Sequence, residues 1–114
     1  HYINDDHMAQ LMVMALDKGH EDCVHAALAY GADVQAHDSA ALRHAVRHLA
    51  TAVNAQVKGG ITPDTRDEIA RRFVMVERLM AAGANPRVAM AAAELHIYDV
   101  AARTQVITRV ATYA

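Results

Sequence analysis

The sequence predicts an all-α solenoid of about three helical hairpins, the second of them elongated. Three observations carry that prediction. Apolar residues recur at helical spacing over six segments, glycines and cap-plus-proline pairs punctuate those segments, and the segments before Gly31 and Gly83 match position by position. The alternation of a half-buried strand is absent, and β-branched residues fall inside helical stripes. At 114 residues the chain reads as one domain, residues 1–114, long enough to bury a core without help from a metal or a disulfide.

Asp5 or Asp6 caps a first helix whose Met8, Leu11, Met12, Ala15 and Leu16 share a face, and Gly19 ends it. The second helix starts near Glu21, where Glu21 and Asp22 complement the positive end of the helix dipole, and runs through Val24, Ala27 and Leu28 to Gly31. Ser39 caps the third, which carries Leu42, Ala45, Val46, Leu49 and Val53 and extends to about Val57, because nothing breaks it before Gly59-Gly60. In Thr62-Pro63-Asp64 a capping hydroxyl precedes a proline suited to the first helical position. The fourth helix follows, with Ile69, Phe73, Val76 and Met80 as its stripe and Asp67–Arg71 and Glu68–Arg72 as acid-first i,i+4 pairs. Asn85-Pro86 repeats the device for a fifth helix through Val88, Met90 and Ala93, and a sixth starts at Ile97 or Tyr98 and passes through Val100, Ile107 and Val110.

Self-comparison ties these helices into a repeat. Tyr30-Gly31-Ala32-Asp33 and Ala82-Gly83-Ala84-Asn85 follow helices with equal offsets: Val24 and Val76, Ala27 and Leu79, Leu28 and Met80. The run Ala15-Leu16-Asp17-Lys18-Gly19-His20-Glu21-Asp22-Cys23-Val24 through Leu28 to Gly31-Ala32-Asp33-Val34 resembles the ankyrin repeat family, with its Gly-His turn, outer helix and Gly-Ala-Asp loop. Asp38-Ser39-Ala40-Ala41-Leu42-Arg43-His44-Ala45 is similar to the start of a following repeat, although Ala40-Ala41 replace the family's Thr-Pro and Arg43 stands where its His would be. Gly31 and Gly83 lie 52 residues apart, against a family period of about 33. The surplus falls at residues 48–68 and lengthens both helices of the second hairpin into an arm that turns at Lys58-Gly59-Gly60. The resemblance covers residues 8 to 100, most strongly 15 to 45, and implies an Ala-rich inner layer, a His20 that bonds loop backbone, and a Cys23 buried as an inert thiol.

Composition narrows the function. A chain that is 54% hydrophobic and 21% charged is globular, and with 4% aromatics and no Trp its apolar content is mostly small or aliphatic, which suits close helix packing. The lone Cys23 excludes an intrachain disulfide and fits a reducing, cytoplasmic setting; no membrane span or signal peptide is read, and residues 1–7 read as a tag remnant or flexible start. Residues 1–38 carry a net charge of −6 and residues 39–114 one of +4, so opposite ends of a linear stack would attract head to tail. The +4 portion interleaves acids with bases, against the clustered cations that phosphate binding needs, so no nucleic-acid partner is expected.

The eight histidines invite a metal reading, yet neither HExxH nor paired CxxC occurs, and no GxSxG, P-loop or cleft carboxylate pair appears. The expectation is therefore no catalysis, no cofactor and no metal. What the resemblance implies is a protein-binding module that presents loop tips and inner-helix residues: Asp33, Gln35, His37 and Asp38 in the loop, and Arg43, His44 and Arg47 on the helix. The arm from Lys58 to Arg66 is a second candidate surface, because the repeat architecture does not need it. Tyr2 and Ile3 are candidates to cover one end of the stack and Tyr113 the other; ends left uncovered would take a partner, a second copy or flanking sequence, and a self-associating module joined through its end faces is the alternative function.

Overall fold

The computed structural model describes residues 5–18 and 20–114, with side chains from Gln10 onward except at 36–38. The readings that fall on Tyr2, Ile3, Met8 and Gly19, and on the capping side chains of Asp5 and Asp6, lie outside the described residues. Six helices follow in chain order: α1 (Asp5–Asp17), α2 (Glu21–Ala29), α3 (Ala36–Gly59), α4 (Pro63–Ala81), α5 (Pro86–His96) and α6 (Val100–Ala111). No strand occurs among the described residues.

Helix α3 organises the packing, because it touches α1 on one flank, α5 on the other and α4 behind, while α2 packs on α1 and α6 on α5. The result is a row of inner helices, α1, α3 and α5, each with its outer partner, in a body of 48 × 27 × 18 Å. Val24, Leu42, Val46, Leu49, Val76, Leu79, Ala89, Ala93, Ile97 and Val110 are fully excluded from solvent and belong to one continuous core. Each large aliphatic among them contributes roughly 1.5–3 kcal/mol by leaving water.

The two matched helix ends are built alike. Gly31 N–H donates to the Leu28 carbonyl at 3.0 Å and Ala32 N–H to Ala27 at 3.1 Å; Gly83 and Ala84 repeat both bonds at 3.0 Å, to Met80 and Leu79. This pair of bonds satisfies carbonyls left open by the helix end and requires a left-handed residue, which Gly31 supplies at φ +84° and Gly83 at φ +112°. The next step is also shared, since Asp33 Oδ1 accepts from Gln35 N–H at 2.9 Å and Asn85 Oδ1 from Arg87 N–H at 3.0 Å.

Helix starts follow local chemistry at three places and depart from it at a fourth. Thr62 caps α4 in a reciprocal arrangement with Thr65, Asn85 caps α5, and each is followed by a proline. Asp99 caps α6 by accepting from Ala102 N–H at 2.9 Å, so the helix begins at Val100 rather than at Ile97 or Tyr98, and Ile97 is a core residue of the turn. Ser39 does not cap α3. The helix begins three residues earlier, Ser39 is buried with φ +55°, and its hydroxyl accepts from Asn85 N–H at 3.2 Å, tying α3 to the next loop.

The arm extends as expected, through the 24 residues of α3 and the 19 of α4, with a turn at Gly60. It also packs, contrary to the reading of an insertion with no such role. Asn54 donates from Nδ2 to the His96 carbonyl at 2.8 Å and accepts at Oδ1 from Tyr98 N–H at 3.2 Å, so the α5–α6 turn is clasped by α3. Among the acid-first pairs of α4, Glu68 takes both Arg72, at 2.6 Å, and Arg71, so Arg71 does not pair with Asp67. Arg72 continues to the His48 carbonyl at 2.6 Å and pins α4 to α3. Tyr113 does not close an end of the stack; its hydroxyl donates to Glu77 Oε2 at 3.1 Å along α4.

Candidate partner-binding surface

The open side of the inner layer follows from the packing of α3. With α4 behind it and α1 and α5 on its flanks, the exposed residues among those described on α3 are Val57 and Gly59 at its end and Arg43, Arg47, Thr51, Ala55 and Lys58, which fall on one stripe. Their spacing is close to one turn each, so they form a ridge about 22 Å long. Three of the five are cations and none is an acid. Arg43 and Arg47 belong to the expected set; Thr51 and Lys58 complete the same ridge, and their i+4 and i+15 offsets from Arg47 and Arg43 are the signal that locates them in the sequence.

The remaining expected residues divide. His44 sits on the α1 flank of α3, half-buried, with Nδ1 3.1 Å from Asp17 Oδ1, so its ring joins two hairpins instead of facing outward. Asp33 is exposed, and its carboxylate shapes the loop through Gln35 N–H. The side-chain amide of Gln35 donates to the Gly83 carbonyl at 2.8 Å, stitching one glycine loop to the other across 48 residues. His37 and Asp38 lie within the span of α3, not in a loop, and their side chains are outside the described residues. The structure therefore brings Arg43 and Arg47 onto one ridge with His44 beside it, and places Asp33 and Gln35 together in the first glycine loop.

Two expectations drawn from the family resemblance are corrected. Cys23 is exposed, because the buried face of α2 runs through Val24 and Ala27 and turns the preceding position to solvent. The ring of His20 makes no capping bond. Its backbone closes the α1–α2 turn instead, donating to the Ala15 carbonyl at 2.8 Å and accepting from Cys23 N–H at 3.2 Å.

Behind the His44 contact lies a shallow crevice lined by Leu16, Glu21, Ala45, His48, Arg72 and Met75, where the first and second hairpins meet. Partial burial, and next the positive charge of Arg72, hold the His48 pKa below its ordinary value of 6.5, against the opposing pull of Glu68, Asp17 and Glu21. Glu68 lies below the ordinary carboxylate value, first because it accepts hydrogen bonds from Arg72. Nδ1 of His25 on α2 is buried without a hydrogen-bond partner. Among the described residues, no group of three His, Cys, Asp or Glu side chains converges in a way that could hold a metal, and no helix is long and apolar enough to cross a membrane. Compared with protein-family models, with curated proteins and with solved structures, the chain matches none of them.

Proposed function

We propose that the chain is a non-catalytic protein-binding module of ankyrin type, and that its partner docks on the ridge of α3. The ankyrin reading is supported by the twin helix ends at Gly31 and Gly83, with their shared backbone bonds, and by inner helices lying in a row with an outer helix behind each. It departs from the family in the short connections: α3 and α5 begin within five residues of Gly31 and Gly83, so no long loop finger projects beside the inner layer. Recognition then falls to the helices.

The observation that carries the docking reading is the ridge itself, a line of exposed side chains holding Arg43, Arg47 and Lys58 with no carboxylate among them. Such a ridge favours an acidic or carboxylate-bearing partner segment, and its charge steers encounter. A cytoplasmic setting accords with an exposed thiol at Cys23.

The test is capture from the native source on immobilised chain, with the captured protein then titrated against wild type and Arg47→Glu. Reversing that charge is expected to weaken binding about tenfold or more, with a smaller loss at raised salt. A partner that binds both forms equally would remove the ridge from the interface.

A further inference from the structure

Of the ten large hydrophobic side chains exposed among the described residues, five gather at one end of the molecule. Val57 and Ile61 belong to the end of α3 and the turn into α4, Leu95 to the end of α5, Tyr98 to the α5–α6 turn and Val100 to the start of α6. Their neighbourhood is fixed by Asn54, which lies one helical turn before Val57 and bonds the backbone of both His96 and Tyr98. The clasp sets the last turns of α3, which carry Val57 and lead to Ile61, at the same end of the molecule as the turn that carries Leu95, Tyr98 and Val100. Ile61 and Tyr98 are each 77% exposed and Leu95 is 71% exposed, so the core takes little from them.

We propose that this end is a homodimer interface, in which a second copy of the chain covers Val57, Ile61, Leu95, Tyr98 and Val100. Area is the first argument. The five residues are 52% to 77% exposed, on the order of 700 Å² of accessible surface in all, which is close to the roughly 800 Å² per partner that a stable two-chain interface buries. Charge is the second. Residues 55–63 hold one ionised side chain, Lys58, and residues 94–100 hold the acids Glu94 and Asp99, so both signs are present and a second copy can set the cation of one end against the acids of the other. Shape is the third, since residues 57–64 are all exposed at the tip of the arm. A two-fold arrangement uses the same patch on both copies and needs no further residue. The inference does not rest on the α3 ridge: the five residues it covers are none of the ridge's, although Lys58 of the ridge borders them.

Sedimentation equilibrium of the full chain over about 1 to 200 µM, a range that brackets weak to moderate self-association, tests it. Wild type is expected to approach twice its mass of 12.4 kDa. Ile61→Glu, which changes a residue outside every helix, is expected to weaken dimerisation at least tenfold with an unchanged helical circular dichroism spectrum. Tyr30→Glu alters an 87% exposed side chain at the opposite end and is expected to dimerise like wild type. A wild type that stays monomeric throughout the range overturns the proposal, and so does an Ile61→Glu chain that dimerises as wild type does.

Discussion

The guanidinium carbon of Arg109 stands 4.2 Å from the centroid of the Phe73 ring, so a cation of the last helix rests on an aromatic face of the fourth. The same side chain reaches Glu77 Oε1 at 3.3 Å, and Glu77 in turn holds the Tyr113 hydroxyl. Helix α6 is thus fastened to α4 by side chains, in addition to its packing on α5. Arg109→Ala is expected to cost about 1 kcal/mol, from a partly exposed cation–π contact plus a surface ion pair. In thermal unfolding that is a fall of about 4–6 °C, with Arg109→Lys recovering part of it. A melting temperature within about 1 °C of wild type for the alanine variant would contradict this.

Gly31 and Gly83 give a test of the repeat. An added Cβ meets nothing within 4 Å at Gly31, and at Gly83 only Gln35 and Val34 at 3.8 and 3.9 Å, which is ordinary contact. The cost of alanine is therefore the backbone cost alone, about 1–2 kcal/mol at each position. Urea unfolding is expected to give matching losses for Gly31→Ala and Gly83→Ala, and smaller ones for asparagine, which tolerates the left-handed region. Losses differing by more than about 1 kcal/mol would mean that the two ends are not equivalent.

Removing the Asn54 amide strands the His96 carbonyl in a part-buried site and leaves the exposed Tyr98 N–H to water. Asn54→Ala should destabilise by about 1–3 kcal/mol. Asn54→Asp should recover little, because it keeps the acceptor for Tyr98 but sets an oxygen against the His96 carbonyl. Hydrogen exchange locates the effect, with faster exchange expected in α5 and α6 before α1 and α2; uniform acceleration across all helices would argue against a local clasp.

His48 predicts a pH dependence with a definite sign. Its folded pKa lies below the ordinary 6.5, so above pH 6.5 the ring is neutral in both folded and unfolded chains and the protein has its full stability. As pH falls below 6.5 the unfolded chain takes up the proton first, and stability declines until the folded pKa is passed. The groups facing the ring are Arg72 and Glu68 from α4, Asp17 from α1 and Glu21 from α2. His48→Gln should flatten the stability profile just below pH 6.5 in denaturant titrations, and an unchanged slope would exclude His48 as its source.

Much of the architecture is legible in the sequence because its signals are local. Thr62-Pro63 and Asn85-Pro86 fix the starts of α4 and α5, Gly31 and Gly83 fix helix ends, and the apolar stripes name the core, Phe73, Val76 and Met80 among it. What escapes is long-range. Ser39 has the chemistry of a cap, but its hydroxyl accepts from Asn85, 46 positions away. Gln35 reads as a free loop residue until Gly83 is placed beside it, and Asn54 reads as one more position of a long helix until the α5–α6 turn arrives. The candidate surface was half visible for the same reason. Arg43 and Arg47 follow from helical spacing, whereas the diversion of His44 to Asp17 requires knowing which face of α3 meets α1.

The central position of α3 has a consequence for how the molecule comes apart. The first hairpin reaches the rest mainly through α1 on α3, and the last mainly through α5 on α3. Either outer pair can therefore fray while the centre stays intact, whereas melting α3 removes the seat of both neighbours at once. Denaturation should peel from the two flanks inward, and the last protected amides should belong to the middle of the 24-residue helix.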